Sequence, residues 1–215
     1  ASRTRASDLN WRLDSGLSIG LAGEIGIQHY DTARWILGER PVAVSGFGNV
    51  MFWRDGRDVP DVVQTIMEFP GGVNMMMDLS LVSSFDQAYD VFYGSDSSIV
   101  LRDGKAWMFK EVDAPMLGWE VYARRDAFYT ETGIALLANA TKLDALSQKA
   151  TDIDPNAETP LFHAIKSMSD NFVFGPYAPE ADWQKCFEAT VVGIKANEAI
   201  VSHSRIELTE DLFSV

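Results

Sequence analysis

From Gly20 to Gly38 (GLAGEIGIQHYDTARWILG) the apolar residues recur at the spacing of a helix rather than of a strand. At about 100° per residue, Ile25, His29, Ala33, Ile36 and Leu37 share one face, and Glu24, Gln28, Asp31 and Trp35 fall within about 60° of one another on the other. The pattern predicts an amphipathic helix over Leu21–Leu37, closed by Gly38 in a left-handed cap and by Pro41, which cannot continue it. The polar face is unusual in holding an indole beside two acids and an amide. A face that only meets water has no use for Trp35 there, so the stripe reads as the wall of a cleft; the alternative is an ordinary solvated helix face.

Beyond Pro41 the texture changes to short runs rich in Val, Ile, Phe, Met and Tyr separated by turn residues, the pattern of strands in series. Asp61–Phe69 and Val73–Val82, joined by Pro70-Gly71-Gly72, predict a long hairpin. Gln87–Tyr93, Ser98–Leu101 and Lys105–Lys110 predict further strands, the last two joined across Asp103-Gly104, a type I′ turn signal. A helical segment is expected at Glu131–Leu146, a polar linker at Thr151–Thr159, and a short helix at Pro160–Asn171. The last long helix is expected over Glu180–Val201, with Pro179 at its start and Trp183, Phe187, Val191 and Ile194 on one face. The fold class these elements imply is α+β: a mainly antiparallel open sheet with helices packed on one face. Residues 1–20 read as a linker or domain-junction segment and 21–215 as the α+β domain.

Composition narrows the partners. With 215 residues and 47% hydrophobic content the chain can bury a full core, and its formal charge of −13 disfavours nucleic acid and anionic membranes alike. No apolar run reaches the roughly 18 to 20 residues of a membrane span, and the first residues carry no signal-peptide core. Cys186 is the only cysteine, which rules out an internal disulfide and a thiolate metal cluster and leaves the compartment open, the cytoplasm slightly favoured; as a side chain it is expected to act as a small core hydrophobe.

Several motifs are missing. The nearest match to a dinucleotide-binding turn, Gly46-Phe47-Gly48-Asn49, lacks a third glycine and sits among strands, so no cofactor-binding residue is assigned. There is no phosphate-binding Walker loop, no G-x-S-x-G and no H-E-x-x-H. His29 points about 140° away from Glu24 on an ideal helix, so no metal site is assigned either.

The run Glu24-Ile25-Gly26-Ile27-Gln28-His29-Tyr30-Asp31, followed by Ala33-Arg34-Trp35 and Gly38, resembles the signature of the substrate domain of the Gfo/Idh/MocA nicotinamide-dependent oxidoreductases. Asn10-Trp11-Arg12-Leu13, the Asp55-Gly56-Arg57 loop, Trp119-Glu120-Val121-Tyr122, Glu188-Ala189-Thr190 and Lys195-Ala196-Asn197-Glu198-Ala199 extend the likeness over most of the chain. The resemblance implies the C-terminal, substrate-binding and oligomerisation half of such an enzyme. The N-terminal Rossmann domain, with its glycine loop and catalytic lysine, would then be a missing partner. NAD or NADP would serve the intact enzyme and would not bind to this chain alone.

The same resemblance implies a hydroxyl-bearing sugar, polyol or inositol-like substrate. Glu24 takes the family's acid position, and Gln28 stands where the family has a histidine. Because a glutamine cannot take a proton at neutral pH, the base is Glu24, the lysine of the missing domain, or a shifted His29. Glu24 and Gln28 are thus the catalytic candidates, and Asn10, Arg12, Asp31, Trp35 and His29 the substrate-binding ones. A half-buried structural histidine is the competing reading of His29. A catalytically silent binding or assembly module with the same fold is the competing reading of the whole. Apolar residues on both faces of Val73–Val82 predict that a second copy covers the sheet, giving a homo-oligomer.

Overall fold

The helix expected over Leu21–Leu37 is two helices, α1 (Gly20–Glu24) and α2 (Gly26–Leu37), divided at Ile25. Glycines at 23 and 26 weaken helix continuity there, and Gly26 packs against the methyl end of Met77, which would have to shift to admit a Cβ. Gly38 closes α2 at φ 72°, the left-handed cap that the sequence led us to expect. The buried residues of α2 are Gly26, Tyr30 and Ala33, whereas Ile25, Ile36 and Leu37 are exposed. The packed face is therefore turned by about 55° from the one drawn through the apolar residues. Tyr30, only 1% exposed, is the large side chain that anchors it.

The computed structural model describes residues 9–128, 130–136, 159–175 and 182–214, which divide into two compact units. The first unit draws on the chain up to Phe85 and on its C-terminal part from Tyr177. Its sheet has four antiparallel strands in the order β3-β2-β1-β9: β1 (Ala43–Asn49), β2 (Val62–Glu68), β3 (Asn74–Ser80) and β9 (Ile206–Glu207). β2 and β3 form the expected long hairpin, in register from Val62 opposite Ser80 to Glu68 opposite Asn74. Alternation along β2 sends Val63, Thr65 and Met67 into the core and leaves Gln64 and Ile66 exposed.

The final helix, α4, runs from Trp183 to Ser202, with the Asp182 carboxylate accepting the backbone N–H of Lys185 at 2.8 Å. It buries small residues, Ala189, Val192, Gly193, Ala196 and Ala199, together with Ile200. Trp183 and Ile194, expected on the packed face, are exposed. The reason is proximity: a Cβ on Gly46 of β1 would lie 2.6 Å from Ile200 and one on Gly48 2.8 Å from it, so sheet and helix meet too closely for large side chains. Cys186 is exposed rather than in the core.

The second unit, Asp86–Pro176, holds a five-stranded antiparallel sheet in the order β4-β5-β6-β8-β7. The strands are β4 (Tyr89–Tyr93), β5 (Ser97–Arg102), β6 (Lys105–Lys110), β7 (Arg125–Phe128) and β8 (Glu131–Leu136). Asp103 and Gly104 both adopt positive φ, 51° and 69°, the expected type I′ geometry. Glu131–Leu136, read as the start of a helix, is instead a strand paired with β6 and β7; residues 137–146 lie outside the described residues. So does most of the expected linker at 151–159, and Pro179 and Glu180 with it. α3 spans Pro160–Phe174, with Thr159 capping it through Phe162 N–H. The fold is α+β, its strands shared between two sheets. No helix among the described residues is long and apolar enough to cross a membrane.

Candidate functional site

Glu24 is the last residue of α1, at the break where the chain re-enters a helix as α2. Opposite it lies a short 3₁₀ turn, Trp11–Leu13, in which Leu13 N–H bonds the carbonyl of Asn10 at 2.9 Å. The turn presents Arg12, whose Nε donates to Glu24 Oε2 at 3.1 Å and whose guanidinium lies 4.5 Å from the centroid of the Trp11 ring. The Glu24 side chain is 20% exposed and that of Arg12 66%. The carboxylate is thus mostly enclosed, with a cation on its open side. Such a pair contributes little to stability, since an exposed arginine loses entropy when it is held, so its interest lies in the orientation it imposes on the carboxylate.

The remaining expected residues follow along α2. Gln28 is exposed, Asp31 half-buried and Trp35 66% exposed, all on the side away from Gly26, Tyr30 and Ala33. Asp31 meets Arg34 at 3.4 Å. His29 is half-buried, and Asn10 is exposed on the turn before Arg12. Among the expected set the structure joins Arg12 to Glu24 directly and aligns Gln28, Asp31 and Trp35 on one outward face.

Three features were not anticipated. Asp61, fully buried, accepts the backbone N–H groups of Met51, Phe52 and Trp53 at 2.7, 2.9 and 2.8 Å. Burial alone would raise its pKa, but these three donors outweigh that and hold it below the usual carboxylate range. The signal for it was an acid at the start of a buried strand directly after a polar loop. Second, the Tyr30 hydroxyl is buried with no hydrogen-bond partner among the described residues, and burial raises its pKa. Third, a cavity of about 470 Å³ opens at the far end of α2 from Glu24, lined by Arg34, Arg40, Pro70, Glu188, Glu210 and Phe213. There Arg40 lies on the Phe213 ring, 4.4 Å from its centroid, and bonds Glu188 at 3.4 Å and Glu210 at 2.6 Å. Its own acids satisfy it, and it closes the C-terminal segment onto α4.

Gly46 and Gly48, the nearest approach to a pyrophosphate-binding turn, lie within β1 beneath Ile200. There they let α4 approach the sheet, whereas a pyrophosphate-binding turn lies at a strand-to-helix corner. Among the described residues no group of histidine, cysteine and acidic side chains could hold a metal ion.

Residues 1–100 match the GFO/IDH/MocA C-terminal domain, bearing out the resemblance read from Glu24 to Gly38. No curated protein matches the sequence. Among solved structures, levoglucosan dehydrogenase in complex with NADH and L-sorbose shares the fold at TM-score 0.66 and 15% identity, over 93% of this chain and 53% of that one. Aldose-aldose oxidoreductase from Caulobacter crescentus, complexed with glycerol, does so at 0.60 and 16%, over 92% and 50%. The NAD-binding protein from Listeria innocua follows at 0.56 and 12%, over 92% and 54%. The chain spans about half the length of these structures.

Proposed function

Since residues 1–100 belong to the GFO/IDH/MocA C-terminal domain family, we propose that the chain is the substrate-binding half of an NAD- or NADP-dependent oxidoreductase. The substrate is a hydroxyl-bearing carbon of a sugar, polyol or inositol-like compound. The observation that carries this reading is the contact of Arg12 with the enclosed Glu24 carboxylate at the head of an outward stripe of Gln28, Asp31 and Trp35. The solved structures named for complexes with NADH and L-sorbose, and with glycerol, support the substrate class.

Oxidising a secondary alcohol to a ketone removes a hydride from carbon and a proton from oxygen. Glu24 takes the proton at a carboxylate oxygen, and Arg12 holds that carboxylate in place. The Gln28 amide donates to and accepts from neighbouring hydroxyls, and Asp31 accepts from one. Trp35 offers a flat apolar surface to the C–H face of a sugar ring. A nicotinamide, when bound in a site supplied by a Rossmann partner, would accept the hydride.

The assay is the full-length protein with NAD⁺ or NADP⁺ and a panel of levoglucosan, D-glucose, L-sorbose, glycerol and myo-inositol, read by formation of reduced nicotinamide. Substrate-dependent reduction is expected for at least one member. No turnover together with saturable sugar binding would favour the second reading, a silent binding module, for which Gln28 in the family's histidine position is the specific observation.

A further inference from the structure

We infer that Asp58 is a positioning residue that sets Arg12 against Glu24, acting through Ser15 from a loop 43 residues further along the chain. The inference rests on the reading of Arg12 and Glu24 as the reaction site. Arg12 is exposed and its guanidinium rests on the Trp11 ring, but the 3₁₀ turn that carries both has no side-chain cap on Asn10 and takes its anchor from elsewhere.

The fixing comes from outside. Ser15 donates its backbone N–H to Asp58 Oδ1 and its hydroxyl to Asp58 Oδ2, both at 2.7 Å, and Asp58 N–H returns a bond to the Leu13 carbonyl at 3.2 Å. Three hydrogen bonds, two of them to a carboxylate, therefore fasten residues 13 to 15, immediately after Arg12. The loop that carries Asp58 is itself anchored. Arg57 grips Asp55 through Nε at 2.9 Å and Nη2 at 2.7 Å across Gly56, which folds the loop back on itself at φ 91°. At its root the buried Asp61 binds three backbone N–H groups, and Leu81 N–H bonds the Asp61 carbonyl at 2.8 Å. The turn that presents Arg12 is thus tied to Asp58, on a loop whose root at Asp61 is held to the sheet. A loop serving only as a connection between β1 and β2 has no need of a two-pronged bond to a distant segment.

The test is a double-mutant cycle in the full-length protein, with the best substrate of the panel above as probe, comparing Asp58→Ala, Arg12→Ala and the double variant. Asp58→Ala is expected to lower kcat/KM by about 10-fold with the melting temperature nearly unchanged, and to add less than about 2-fold once Arg12 is alanine. Asp58→Asn, which keeps an acceptor for Ser15, is expected to restore most of the loss. If Arg12→Ala is impaired while Asp58→Ala is harmless, or multiplies the Arg12→Ala defect in full, the inference is overturned and the site reading stands. If Arg12→Ala is itself without effect, both fall. Hydrogen exchange supplies a readout that does not depend on turnover: Asp58→Ala should speed exchange at the Ser15 amide, and an unchanged rate overturns the inference.

Discussion

A Cβ on Gly193 would stand 3.2 Å from the Cα of Gly23, so α4 and α1 touch backbone to backbone one residue before Glu24. That contact fixes the height of Glu24 above the core. Overpacking it forces the helices apart, and Gly193→Ala should cost about 1 to 2 kcal/mol, despite alanine's better helix propensity. Denaturant titration measures this; an unchanged midpoint would show that the helices have room to spare.

Tyr30 tests the accounting of the core. Its ring is needed to fill the space under α2, but its buried hydroxyl finds no partner among the described residues. Removing a buried unsatisfied hydroxyl at constant shape is neutral or favourable, so Tyr30→Phe should hold or raise stability by up to about 1 kcal/mol. Tyr30→Ala should cost several times that, about 3 to 5 kcal/mol. A loss of more than about 1 kcal/mol in Tyr30→Phe would reveal a hydrogen bond at that hydroxyl.

Asp61 gives the first unit an acid-sensitive root. Its folded pKa lies below the unfolded value, so its contribution is fully present above the unfolded value, near 3.9, and is lost as pH falls through the folded one. Asp55, held at about 2 by Arg57, acts with the same sign. Stability should therefore decline below about pH 4, and Asp61→Asn should flatten that decline while costing about 2 to 3 kcal/mol at neutral pH. Melting curves from pH 3 to pH 7 decide it; an equal slope in the variant would remove Asp61 from the explanation.

What could be read from the sequence followed from local rules. The hairpin of β2 and β3, the Asp103-Gly104 turn and the Gly38 cap are each set by turn chemistry and alternation within a few residues, and all three form. The faces of α2 and α4 were misjudged because hydrophobicity was taken as the measure of packing. α4 is buried mainly through small residues from Ala189 to Ala199, with its backbone close to α1 at Gly193, and α2 through Gly26 and Ala33 beside the one large side chain of Tyr30. The outward stripe of Gln28, Asp31 and Trp35 survived this error, since it lies opposite the true buried face. Arg12 was named as a substrate-binding candidate, but neither its bond to Glu24, 12 residues away, nor the clamp of Asp58 on Ser15, 43 residues apart, is written in any local pattern.

Assembly is tested at the exposed face of the four-stranded sheet, where Phe47, Ile66 and Met76 stand 61%, 43% and 80% exposed on adjacent strands. We propose that a second copy covers them. Light scattering of the full-length protein should give a dimer or larger, and Ile66→Glu with Met76→Glu should dissociate it at tens of micromolar; a wild-type monomer would contradict the proposal.

The central claim is that Glu24 takes the substrate's proton while His29 serves the structure. The most direct measurement is steady-state turnover of Glu24→Gln and His29→Asn in the full-length protein, with melting temperatures for both. The account predicts that Glu24→Gln folds normally and loses about 10²-fold or more in kcat, the range of positioned proton transfer, while His29→Asn melts earlier but retains its turnover. A fully active Glu24→Gln beside an inactive, normally folded His29→Asn would contradict it and move the base to His29.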